Sequence, residues 1–202
     1  MPRSLRTRML RGLRNPSLAI SYLQARLRGA WVSARHWHNA RVRIGRGFSV
    51  VSRLAIRGPG HVTIGDHVSA DGRPHPVTLF TYSTEAELSV GSGTFLNGTR
   101  FGCARRVRVG RRCILADCRI LDTNFHSIYP ERRDDPRDVK VLPVEIGDDC
   151  WIGAGAFILP GTRIREGSTV AAGAVVMGRF PARSVIAGNP ATVIMTVGVA
   201  SS

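Results

Sequence analysis

A single histidine, placed where its imidazole can leave the core, suffices to take a proton from an attacking hydroxyl, because imidazole titrates near neutral pH. His126 has that placement. It closes the run Asp122-Thr-Asn-Phe125-His126, and the long stretch from Ser127 to Pro143, rich in Arg and Asp, follows it directly. On residue type alone it is equally a surface histidine or a metal ligand. Asp122, four residues earlier, either orients the imidazole through its other ring nitrogen or only turns the chain. Asn97 carries an amide able to bond a hydroxyl in either direction, or to form the internal turn of a repeated structure. Ala154-Gly155 and Ala172-Gly173 lie 18 residues apart, and if they stack, their missing bulk leaves a groove. Of the other histidines, His61 and His67 fall on different faces of any six-residue repeat, and His36, His38 and His75 lie apart from them. No three converge as a zinc site requires, so no metal is expected.

The elements that must position these residues are set by an internal period. From Ile146 the chain reads IGDDCW, IGAGAF, ILPGTR, IREGST, VAAGAV, each hexad opening on Ile or Val with a small fifth residue. The same phase runs upstream through Val109-Gly110, Leu115 and Leu121, with His126 ending the last hexad, and looser copies start at Ile44, Ile64, Val90 and Leu96. Six fits neither the helical period nor an indefinite alternating strand. It fits a short strand and a corner, repeated, so that three hexads close a coil and residues 18 apart stack about 4.8 Å apart. The hexad starts 44, 64, 90, 109 and 146 are separated by 20, 26, 19 and 37 residues, one coil plus inserted loop each time, with the largest insertion after His126. The sequence therefore predicts an all-β solenoid over residues 41–194 with a loop insertion at 127–143. Cys113 and Cys150 share one inward position, and all four cysteines, lacking any CxxC spacing, are expected to be buried packing residues.

Solenoid ends need covering. Residues 1–40 form a basic extension in which 17–40 is expected to be helical, with Leu18, Tyr22, Leu23, Leu27, Ala30 and Trp31 near one face. Its expected role is to cap the first coil, with a membrane-surface helix as the alternative. After Asn189-Pro190 a short frayed tail, 195–202, is expected. The formal charge of +15, nearly all arginine because Lys140 is the single lysine, implies attraction to anionic partners. Without any RRM, KH, zinc-finger or helix-turn-helix pattern, nucleic acid is not an expected partner. No transmembrane helix is expected, and Arg3, Arg6, Arg8, Arg11 and Arg14 interrupt any secretory apolar core, so the expected location is cytoplasmic, at most peripheral to the inner membrane face.

The stretch from Val144 to Ile194, with WIGAGA and AGNPA, and the stretch 88–130, with FLNG and DTNFH, resemble the hexapeptide-repeat acyltransferases. Within these they resemble the maltose and galactoside acetyltransferases and the O-acetyltransferases of bacterial polysaccharide assembly. The resemblance implies a left-handed parallel β-helix and a homotrimer with active sites between subunits. It implies acetyl-CoA as co-substrate, O-acetyl transfer to a sugar or glycan hydroxyl, His126 as the catalytic base, and Asn97 in contact with the acceptor. Backbone groups at Ala154, Gly155, Ala172 and Gly173 would line the pantetheine arm. Where the family holds the CoA phosphates with a Thr-Lys pair and a later Arg, this chain has Met177-Gly178 and Thr192, leaving Arg179 and Arg183 as the nearest substitutes. Two alternatives stand beside this reading: N-acetyl transfer to an amino sugar or xenobiotic, and a non-catalytic β-helix that assembles other proteins.

Overall fold

The computed structural model describes residues 16–198. One helix, α1 (Pro16–Arg35), precedes a left-handed parallel β-helix of about seven turns. The first face stacks seven strands, from Val42–Ile44 through His61–Ile64, Glu87–Val90, Arg106–Val109, Val144–Ile146 and Arg163–Ile164 to Arg179–Phe180. The second face runs from Ser49–Val50 to Ser184–Gly188, and the third from Leu54–Arg57 to Val175–Val176.

The predicted phase is the one observed on the first face, where Ile44, Ile64, Val90, Val109, Ile146 and Ile164 are in register. Leu96, Leu115, Ile152 and Val170 form the matching inward ladder of the second face. Small residues fill the corner between these faces, Thr94, Cys113, Cys150, Ser168 and Ser184 all being buried. The four cysteines are free and buried. Desolvation pushes the thiols of Cys103 and Cys118 up to about 12, so both stay protonated and unreactive near neutral pH.

The hexad phase slips at one place that matters for the site. Leu115 to Ile120 is five residues where the next coil has six from Ile152 to Ile158, because the corner at Asp117, with φ 39°, is one residue shorter. Ile120 therefore points inward, fully buried, in place of Leu121. The expected hexad from Leu121 to His126 does not form. The chain leaves the coil at Asp122 and returns at Leu142, whose N–H donates to the Asp122 carbonyl.

Both ends of the described coil are covered. α1 does cap the first coil, through Ala25, Gly29 and Val32 and not through its largest apolar side chains. Ala25 and Gly29 are buried, and a Cβ on Gly29 would lie 2.2 Å from the Phe48 carbonyl oxygen. That close approach lets Arg26 and Arg28 donate to the carbonyls of Gly47 and Val51, supplying donors to backbone groups at the first coil. Tyr22, Leu23, Leu27 and Trp31 remain exposed. At the other end Ala191–Thr196 pairs antiparallel with Ser184–Gly188, so residues 195–196 of the expected tail belong to a hairpin, and 199–202 lie outside the described residues. Among the described residues no helix is long and apolar enough to cross a membrane.

Candidate active site

His126 stands just beyond a neck that ties the 122–142 excursion to the coil. Thr123 bridges Val141, Asn124 N–H donates to the Lys140 carbonyl, and Lys140 N–H returns a bond of 2.8 Å to Asn124 Oδ1. A hydrogen bond of 2.7 Å from His126 N–H to the Asn124 carbonyl closes a three-residue turn around Phe125, whose φ of 62° is unusual for an aromatic residue. Such strain persists only where surroundings over-determine it. Here the Tyr82 ring meets Phe125 edge to face, centroids 5.0 Å apart, and Phe125 N–H donates to Thr123 Oγ1. The turn projects the imidazole outward, with the His126 side chain 63% exposed.

Asp122 does not orient that imidazole. It is fully buried, and its carboxylate accepts three backbone N–H bonds, from Ala104, Arg105 and Arg106, each 2.7 Å. Cys103 Sγ–H adds a weaker contact at 3.6 Å. Three converging amides make an anion nest, and the charge in it pins the exit of the loop to the coil below. The carboxylate facing His126 is Asp134 instead, with Oδ1 3.4 Å from Nδ1 on an open surface. Beyond it the loop ties to itself through Ser127, whose N–H donates to the Arg133 carbonyl while its own carbonyl accepts from Arg133.

The alanine and glycine pairs stack as their spacing requires. Trp151 and Ile152 pair with Thr169 and Val170, and Gly173 N–H donates 2.8 Å to the Ala154 carbonyl. Ala154 and Ala172 are both exposed. Gly155 and Gly173 each hold φ 72°, and nothing lies within 4 Å of a Cβ built on Gly173. The result is a smooth, open corner between the second and third faces, with room for a thin flexible chain. Asn97 lies on the same vertical corner two coils earlier, where its amide donates to the carbonyls of Arg73 and Asp71 and so secures the 72–76 loop.

Three expected partners of this corner stand elsewhere in the chain. Arg179 is on the first face beside Arg163, with the third face between it and Ala172, and Arg183 stands at the corner between the first and second faces, with the second face between it and Ala172. His126 is at the corner between the third and first faces. One side of the triangle, about 16–20 Å of extended chain, lies between the imidazole and the groove. Tyr82 and Asp134 escaped the sequence reading because neither has a local signal: Tyr82 meets Phe125 from an earlier coil, and Asp134 reaches back across a loop.

Residues 143–177 match the family model described as the hexapeptide repeat of succinyl-transferase. A 2,3,4,5-tetrahydropyridine-2,6-dicarboxylate N-acetyltransferase of Staphylococcus aureus is 56% identical over 52 residues, covering 26% of this chain and 22% of that one. The chain spans 38%, 27% and 22% of the length of three curated relatives that it matches. The crystal structure of the polysialic acid O-acetyltransferase OatWY aligns with TM-score 0.63 at 25% identity, over 80% of this chain and 78% of that one. A galactoside acetyltransferase solved with coenzyme A shares the fold with TM-score 0.52 at 19% identity, over 88% and 83% of the two chains.

Proposed function

We propose that this chain, whose residues 143–177 match the hexapeptide-repeat model, carries out acetyl-CoA-dependent O-acetyl transfer to a hydroxyl of a sugar or glycan precursor, with His126 as the general base. The observation that carries it is the pairing of an outward imidazole on a strained, braced turn with a bare Ala-Gly groove on the same solenoid. The named activity of OatWY supports O-acetyl transfer, and that of the S. aureus relative supports acetyl transfer without favouring oxygen as the acceptor atom. The complex of the galactoside enzyme supports the donor.

In the reaction His126 removes the acceptor proton as the hydroxyl oxygen attacks the thioester carbonyl. The C–S bond then breaks, the acetyl group stays on the acceptor oxygen, and the proton leaves with the CoA thiolate. Backbone amides at open corners of the coil are the natural donors for the oxyanion. Because groove and imidazole sit at opposite ends of the third face, one chain does not complete the site. A second copy that brings its own corner against this one does, which accords with a homotrimer.

Incubating the protein with acetyl-CoA and a panel of free, nucleotide-linked and lipid-linked sugars, with thiol release and product mass recorded, tests the reading. Ester products are expected. Amide products alone would favour N-transfer, for which the S. aureus relative gives a specific precedent, and no thiol release with any acceptor would favour the non-catalytic alternative. Ala172→Leu places bulk in the groove at an exposed position, so it should raise KM for acetyl-CoA about tenfold with no change in melting temperature. Asp134→Asn, which removes an open-surface partner, is expected to change kcat/KM by less than about fivefold.

A further inference from the structure

α1 seats on the first coil through Ala25, Gly29 and Val32 and turns its largest apolar side chains away from the protein. Ile20, Leu23, Leu27 and Trp31 are exposed at 57, 59, 62 and 62%, and steps of three, four and four residues align them in one stripe. Arg35 lies beside the stripe, its guanidinium 5.6 Å from the Trp31 ring centroid. The sequence around the stripe is strongly basic, with Asp66 of the second coil 3.6 Å from Arg46. Residues 1–65 contain 13 arginines and no Asp or Glu, the first acid being Asp66. On the first coil Arg41, Arg43 and Arg46 are exposed. Between that coil and α1 runs an open groove of about 600 Å³, lined among others by Arg26, His36, Trp37, Arg43 and Arg46. Trp37 stands 82% exposed at its rim.

We propose that this end of the solenoid docks on an anionic lipid bilayer, with the stripe of α1 in the boundary between headgroups and acyl chains and the arginines against lipid phosphates. An apolar face flanked by arginine, with tryptophan at its edge, is what an interfacial helix requires. The basic charge of the helix and the first coil, broken only where Asp66 meets Arg46, matches an extended anionic plane. A compact protein partner would need far less of it.

The proposal is independent of acetyl transfer, because its test reads binding and not turnover. The full chain is floated with phosphatidylcholine vesicles and with phosphatidylcholine vesicles containing phosphatidylglycerol. Association with the anionic vesicles is expected to exceed that with neutral ones at least about tenfold and to weaken as salt is raised. The Leu23→Glu/Leu27→Glu variant alters exposed positions off the α1 seat, so it should keep the parent's melting temperature while losing about tenfold or more of the vesicle affinity. Equal partition into both vesicle types, or undiminished binding by the variant, overturns the proposal. Recovery of no protein with vesicles, together with larger assemblies in light scattering that the variant abolishes, would make the stripe a face for a second copy and also overturn it.

Discussion

His126→Ala is expected to lower kcat for acetyl transfer by about 10²–10⁴-fold while leaving acetyl-CoA binding and the melting temperature at parental values. The separation of these effects follows from where the residue stands. Its side chain is 63% exposed, and the ion-pair contact it makes is with Asp134, also on open surface. The turn that presents it is held by backbone bonds at 123–124 and 140–141 and by the Tyr82–Phe125 contact, none of which uses the imidazole. The groove at Ala154 and Ala172 is a face away. Steady-state kinetics, calorimetric titration of CoA and a thermal melt on the same preparation check the three limbs. Full turnover by the variant would remove His126 from the mechanism, and a large loss of stability would recast it as a structural residue.

Asp122→Asn should show the opposite pattern, a large loss of stability at a residue that a motif would nominate for catalysis. The carboxylate is fully buried and accepts three 2.7 Å amide bonds. An amide of the same shape offers one oxygen where two are used, and its NH₂ group turns donors toward donors. Breaking a buried, charge-assisted cluster on one side costs about 3–5 kcal/mol. For a chain of this size that corresponds to a fall in melting temperature of roughly 6–20 °C. Thermal and urea denaturation measure it. A variant with parental stability and reduced kcat would return Asp122 to the role of a positioning partner for His126.

These two residues also separate what one-dimensional pattern could reveal from what it could not. Asp122 and His126 are four apart in one motif and read as a pair. In the folded chain the shortened corner at Asp117 advances the phase by one residue. That shift sends Asp122 into the wall of the coil and releases His126 to the surface. The partners each residue acquires, the 104–106 amides and Asp134, come from a different coil and from across a loop. No local spacing encodes either. The helix and its capping role were legible, but which of its faces packs was not, for a related reason. The apolar face of α1 was visible as a pattern, but the face that packs was decided by how closely a helix must approach a backbone ridge, and Ala25 and Gly29, with Val32 beside them, form that face.

What the sequence determined by itself was everything that depends on a short repeat: the solenoid, the inward ladders, the buried cysteines and the stacked Ala-Gly groove. Each is fixed by residue type at a constant interval, and parallel strands 18 residues apart turn that interval directly into contact. The tertiary structure decided which corner each chemical group occupies. A corner shorter by one residue, a nest of amides from another coil and a helix seated on Ala25, Gly29 and Val32 are long-range packing outcomes. In this chain they place His126 and the groove at opposite ends of one face.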